Sequence, residues 1–371
     1  MARILITNFL PRRASPPPPA ILPLPPASSP RNHPQALMAA CVEAAATGVR
    51  DPGAARNNRA RARIAVGTTD DYEEICCLGM GAFGAVVKAR HRGTGQTVAI
   101  KRLAAADICG EMKLLREACL LEASGRDNPF VVGFHGVARN PPTMDLCLVM
   151  ECVGPSLNDL LYQSRCAGMP PPPEAIVRAV MWQLLTGAKK MHDAHVVHRD
   201  IKPENILVGG EGSTVKICDF GLAIRMDESP PYEHVGTLWY MAPEMLLGKP
   251  DYDALVDTWS LGCVMAELIS GSPLFMASDD AGQLAAIFEV LGAPDQTTWP
   301  WFSSTPFAAL VQMMPELHMK RSNLLREEFP KTKLSEEGFQ LLSGLLTCNP
   351  DKRLTAAAAL KHPWFKKMNA P

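Results

Sequence analysis

The sequence predicts an α+β protein of two lobes, a small antiparallel sheet with one helix followed by a larger, mainly helical lobe. Between Tyr72 and Val153, short strand-like runs alternate with glycine turns and flank a single helical stretch. From Ser156 to Phe365 helical spacing dominates. In Ala175–Leu185 and just beyond, Ile176, Val180, Leu184 and Ala188 fall four apart on one expected buried face, behind the helix-starting prolines Pro171 to Pro173. The chain has 371 residues and is 47% hydrophobic, long for one domain and with ample material for a core.

Residues 1–66 differ in kind. Ten prolines between Pro11 and Pro34 block both helix and sheet ladder, and Ala39–Ala65 is rich in Ala and Arg, so a disordered tail is expected. Its Pro-Pro runs read as filler first and polyproline II ligands second. No acid precedes Glu43, while Arg3, Arg12 and Arg13 flank an apolar opening. That is a faint organelle-transit signal, the weaker reading beside a nuclear or cytoplasmic protein. Arg56, Arg59, Arg61 and Arg63 read as a solvated basic linker, with a nuclear signal as the alternative.

The small lobe opens on Leu78-Gly79-Met80-Gly81-Ala82-Phe83-Gly84-Ala85-Val86, a G-x-G-x-x-G-x-V loop whose glycines let backbone N–H groups approach phosphates. A dinucleotide-binding turn would need a helix straight after the third glycine. A strand and the hairpin turn Gly93-Thr94-Gly95 follow instead. The next strand ends in Val98-Ala99-Ile100-Lys101, which places Lys101 against α- and β-phosphates. A helix is expected over Glu111–Ala123 with Met112, Leu115, Cys119 and Leu120 as its apolar stripe. Glu117 on this helix is the chosen ion-pair partner of Lys101, with Glu111 and Glu122 as alternatives.

The most informative strings are His198-Arg199-Asp200-Ile201-Lys202-Pro203-Glu204-Asn205 and Asp219-Phe220-Gly221, separated by the strand-like Thr214–Cys218. Either alone arises by chance or as a turn. Together they supply a base, a phosphate-facing lysine and two oxygen ligands for a divalent cation, which suits phosphoryl transfer.

With Ala242-Pro243-Glu244, Asp257–Cys263 and Arg353 added, the sequence resembles the eukaryotic protein kinases over roughly residues 72–366. The resemblance implies the bilobal protein kinase fold, with a small lobe at 72–153, a large lobe at 156–365, a kinase domain at 67–366 and a short tail at 367–371. It implies ATP and Mg2+ as cofactors and a protein substrate. Asp200 would accept or orient the hydroxyl proton, Lys202 would support the transferring phosphate, and Asn205 and Asp219 would hold magnesium. Met150 would be the gatekeeper, and the backbone from Glu151 to Val153 would bond adenine. Lys202 with Thr237 resembles serine/threonine kinases, and Glu244 with Arg353 would form a buried pair.

Ser272–Phe275, Leu291-Gly292-Ala293-Pro294 and Lys361–Phe365 resemble the cyclin-dependent kinase group, and the tail and activation segment more weakly resemble plant F-type members. The chain also departs from that group. Only Arg116-Glu117 matches the cyclin-docking helix motif, so a cyclin or other activating partner stays an open expectation, tested by whether Leu114 and Leu115 lie exposed. Ala82-Phe83 lacks the hydroxyls of the group's inhibitory phosphorylation sites. Tyr232 stands at the activating threonine, with Arg116 and Arg199 able to receive an anion there. Glu233 is a plain surface carboxylate in the first reading and a built-in anion in the second. Met241 and Gly236 leave proline direction open.

The formal net charge of −1 argues for neither nucleic acid nor membrane as a partner, and no run of eighteen apolar residues suggests a span. Eleven cysteines without C-x-x-C spacing fit reduced thiols, with Cys152 and Cys218 read first as buried, inert thiols and second as oxidation-sensitive ones. A catalytically weak pseudokinase or scaffold is the competing class. It has little physical need for Lys101, Glu117, Asp200, Lys202, Asn205 and Asp219 all at once.

Overall fold

The computed structural model describes residues 66–81, 84–103, 108–209, 214–313 and 323–369. The tail before Val66, and Ala82 and Phe83 of the glycine loop, lie outside the described residues, as do the expectations placed on them.

A six-stranded sheet is built from β1 (Val66–Thr68), β2 (Tyr72–Gly81), β3 (Gly84–His91), β4 (Thr97–Leu103), β5 (Phe134–Arg139) and β6 (Leu146–Glu151) in the order β1-β5-β6-β4-β3-β2. All neighbours are antiparallel except β1, which lies parallel to β5 with Val66 opposite Val137. The sequence reading missed this edge strand, because three residues are too few to show a period of two. Alternation divides the sheet into two faces. Leu146, Leu148 and Val137 join the main core, while Cys147, Val149, Val98 and Ile100 belong to a separate apolar cluster.

Helix α1 (Ile108–Gly125) packs on the sheet, three residues longer at its start than expected. Its buried face is Leu114, Glu117, Ala118, Leu120 and Leu121. The expected stripe was therefore rotated: Leu120 is buried, Met112 and Leu115 are half-buried, and Cys119 is exposed. The helix lies against the interior strands β5, β6 and β4, and the row that faces them is the buried one.

The large lobe holds α2 (Leu157–Cys166), α3 (Glu174–Asp193), α4 (Leu255–Ser270), α5 (Asp280–Leu291), α6 (Pro306–Met313) and α7 (Glu336–Leu345), with shorter turns between them. Ser156 and Asp159 form a capping box that starts α2, each side chain accepting from the other's backbone N–H. Pro173 precedes α3, which buries Val177, Met181, Leu184, Leu185, Ala188 and Met191. Of the expected row Leu184 and Ala188 are buried, whereas Ile176 is 54% exposed and Val180 half-buried. Helix α4 is mostly apolar and is buried from Val256 to Ile269, and Gly271 closes it at φ 83°. A 3₁₀ stretch, Pro363–Asn369, runs past the expected domain end. Among the described residues no helix is long and apolar enough to cross a membrane.

Two short strand pairs hold the loops that carry the chemistry. They are β7 (Val196–Val197) with β10 (Ile224–Arg225), and the antiparallel β8 (Ile206–Gly209) and β9 (Thr214–Ile217). An isolated parallel bridge joins Val131 to Ile217.

Candidate active site

A cavity of about 870 Å³ opens between sheet and helices, lined by Leu78, Gly79, Val86, Lys101, Glu117, Met150, Glu151, Val153, Asn205 and Asp219 among others. Register explains why. Lys101 sits mid-sheet, opposite Val86 on one side and Leu148 on the other, and Met150 faces Ala99. Met80 and Gly81 end β2, and Gly84 and Ala85 begin β3. None of these four is among the lining residues. The sequence reading passed over Ala99, Leu207, Cys218 and Asp159, which also line the cavity. Ala99 was findable as the small residue inside Val-Ala-Ile-Lys. Leu207 and Asp159 had no local signal, because tertiary packing brings them in.

Lys101 Nζ donates to both oxygens of Glu117 at 2.7 and 2.9 Å and to Asp219 Oδ1 at 2.8 Å. Glu117, not Glu111 or Glu122, is therefore the partner. Burial works against the Lys101 ammonium, but the Glu117 and Asp219 charges and hydrogen bonds outweigh it and raise its pKa. Burial also pushes the Glu117 carboxyl up, so the carboxylate persists there because Lys101 pairs it. At Asp219 burial is overcome mainly by Lys101, which holds the carboxyl below its ordinary range. Asp219 occupies a left-handed backbone position at φ 64°, and Phe220 is buried edge-on against His198 with ring centroids 4.9 Å apart.

On the opposite wall, Thr237 Oγ1 donates to Asp200 Oδ1 at 2.6 Å, and Lys202 Nζ lies 2.9 Å from Asp200 Oδ2 while donating to Thr237 Oγ1 at 2.6 Å. Asn205 Nδ2 donates to the backbone oxygen of Asp200 at 2.9 Å and to Oδ2 at 3.0 Å, which leaves its amide oxygen as the metal-ligating end. Among the described residues no group of three or more His, Cys, Asp or Glu could hold a metal. Asp219 and Asn205 offer two hard oxygen donors, the set expected where substrate phosphates and water complete the shell of a small divalent cation.

The loop carrying Asp200 is pinned by a residue given no role from sequence. Asp257, fully buried in α4, accepts from the backbone N–H of His198 and Arg199 at 2.9 Å each and from His192 Nε2 at 2.9 Å. Burial alone would raise its pKa, but these bonds and the His192 and His198 charges hold it below the carboxylate range. The signal was an aspartate at the head of an otherwise apolar helix. Burial raises both the Cys218 and Cys152 thiols, as suits inert cysteines.

In the activation segment the surface-carboxylate reading of Glu233 holds. Glu233 is exposed and only its backbone oxygen is engaged, by Tyr252 Oη at 2.7 Å. Glu228 is the anion that meets α1. Its carboxylate takes Arg116 Nη2 at 2.6 and 2.7 Å and the Arg225 N–H at 2.9 Å, while Tyr232 Oη donates to its backbone oxygen at 2.9 Å. Arg199 instead donates to Leu222 O at 2.6 Å and Tyr252 Oη at 2.8 Å. The built-in anion of the second reading is thus supplied by Glu228, which the turn at Arg225–Glu228 sets against Arg116, and not by Glu233. Farther on, Arg353 and Glu244 form a buried bidentate pair at 2.6 and 2.7 Å.

A glycine-looped sheet over a helical lobe, with a buried lysine–carboxylate pair facing Asp200 and the oxygen donors of Asn205 and Asp219, has the make-up of a phosphotransferase of the two-lobed class. The protein kinase domain matches residues 72–365, and the chain belongs to the protein kinase family. It is 46% identical over 307 residues, 81% of its length, to a protein of Oryza sativa subsp. japonica that carries the name cyclin-dependent kinase F-2, covering 91% of that protein. It is 38% identical to cyclin-dependent kinase G-1 of Oryza sativa subsp. indica and 37% to cyclin-dependent kinase G1 of Arabidopsis thaliana. Each alignment takes in 82% of this chain but only 44% and 50% of those longer proteins.

Proposed function

We propose that this chain is a cyclin-dependent-kinase-like serine/threonine protein kinase that transfers the γ-phosphate of ATP to protein hydroxyls. The observation that carries this is the joined set Lys101–Glu117–Asp219 facing Asp200–Lys202–Thr237 across one cleft. The hinge from Glu151 to Val153 would take adenine, and Lys101 the α- and β-phosphates. Mg2+, held by Asn205 and Asp219, would offset the charge that develops between the β- and γ-phosphates. Asp200 orients the acceptor hydroxyl and takes its proton. Thr237 holds the Asp200 rotamer, and Lys202 screens the transferring group.

Leu114 is 1% exposed and Leu115 half-buried, so Leu114 is withdrawn from any docking face on α1. With Glu228 already bound to Arg116, this supports turnover that needs neither a cyclin nor a phosphate on the activation segment. A scaffold role finds no specific support in the site.

The test is transfer from Mg-ATP by the full chain onto a degenerate Ser/Thr/Tyr peptide set, with Asp219→Asn as control. Labelling of Ser or Thr that disappears in the control is expected. Mg-ATP binding without labelling of any peptide would overturn the reading.

A further inference from the structure

We propose that Glu151 and Lys216 are positioning residues for nucleotide binding, their ion pair setting the span between the hinge and the strand that delivers Asp219. This rests on the reading of the cleft as an ATP site.

The two walls of the cleft are distant along the chain. From Glu151 the backbone passes through α2, α3 and the Asp200 loop before it reaches Asp219. Nothing covalent nearby sets their separation. Glu151, the last residue of β6, closes that gap directly. Its two oxygens take Lys216 Nζ at 2.8 and 2.7 Å, and Oε2 also accepts the Gly133 N–H at 2.9 Å. The Glu151 N–H in turn donates to Gly133 O at 2.8 Å.

Lys216 lies on β9, three residues before Asp219. The same strand is fastened to the segment before Gly133, Ile217 N–H donating to Phe130 O at 2.9 Å and Val132 N–H to Ile217 O at 3.0 Å. Hinge, strand and intervening loop thus meet at one carboxylate. A Cβ on Gly133 would stand 3.2 Å from Glu151 Oε2, so the close approach favours glycine there. The side chains are 33% and 18% exposed, drier than the surface pairs of this protein, and the lysine is held by two oxygens at once.

A nucleotide gripping the hinge with its base and the Asp219 side with its phosphates is sensitive to that span, whereas a nucleoside touches one wall only. Ligands that bridge two preset walls gain from preorganisation; a ligand on one wall does not.

The test uses the full chain, with wild-type Mg-ATP and adenosine affinities measured first. A wild type that binds no Mg-ATP would overturn the kinase reading and this inference with it. In Lys216→Met and Glu151→Gln, KM and Kd for Mg-ATP are expected to rise about tenfold, the loss of one charge-assisted contact. In Lys216→Met, adenosine affinity and peptide KM are expected to stay within about twofold, since neither ligand spans the walls. Lys216→Arg keeps the charge and should stay near wild type, and the exchange Glu151→Lys with Lys216→Glu should recover most of the loss. Should Lys216→Met fail to fold, Lys216→Gln carries the same comparison. Unchanged Mg-ATP affinity in a folded single variant would overturn the inference. So would equal weakening of adenosine and Mg-ATP, which would mean that the pair shapes the hinge alone.

Discussion

Two of the ion pairs that hold the segment from Asp219 to Glu244 are of opposite character. At its far end Glu244 and Arg353 are 1% and 0% exposed, and the guanidinium also donates to the backbone oxygens of Thr347, Cys348 and Leu255. Nearer its start Glu228 and Arg116 are 39% and 49% exposed and meet across the surface. Burial makes the first pair costly to break and insensitive to salt. Exposure makes the second weak, screened and easy to change. The anchored end belongs to the fold, and the loose end, beside Glu117 on the same helix, is where activity can be tuned.

The comparison breaks hardest at Arg353. Arg353→Ala leaves the Glu244 carboxylate buried without its partner and should cost about 3–5 kcal/mol of stability. Urea unfolding measures it, and a loss no larger than that of a surface pair would erase the distinction drawn here.

Next is Gly236, between the two pairs. Its φ is +127°, and an added Cβ would lie 2.7 Å from the backbone oxygen of Arg199, next to Asp200. Gly236→Ala should cost about 1–3 kcal/mol in strain and displace the Asp200 loop. The expected signature is a fall in kcat at near-constant KM for ATP.

A pH profile sharpens the role of α1. Because Glu117 is raised, it takes a proton at higher pH than an ordinary glutamate, whereas Asp219, held low, stays ionised further into acid. The acid limb of kcat/KM should therefore follow Glu117, and activity should be lost as pH falls through its pKa while Asp219 is still charged. Lys101 is raised, so it should set no alkaline limb below the ordinary lysine range. Glu117→Gln should lower activity and flatten the acid limb; an unchanged limb would assign it elsewhere.

The smallest effect is at the exposed pair. Glu228→Gln should cost less than about 1 kcal/mol of stability and reduce kcat a few-fold, more at low salt than at high. Exchanging the charges, Arg116→Glu with Glu228→Arg, should restore most of it.

The contrast also marks what the sequence made legible. Lys101, Asp200, Asn205 and Asp219 sit in short motifs whose spacing is fixed by strand and loop geometry, so their meeting could be read residue by residue. The two helix faces were only half right, Leu120, Leu184 and Ala188 being buried but Cys119 and Ile176 exposed, because helical spacing gives a row without saying which edge faces the core. Asp257, Glu228 and the Glu151–Lys216 pair act across long sequence separations, through contacts that only the packed lobes create. Strand β1 was too short to show its period.

The most direct test of the central claim, that the chain itself assembles the site, is phosphate transfer by the full chain alone after phosphatase treatment. The expected result is labelling of Ser or Thr peptides that changes little when a cyclin is added. Labelling that appears only with a cyclin, or only after the activation segment is phosphorylated, would contradict it.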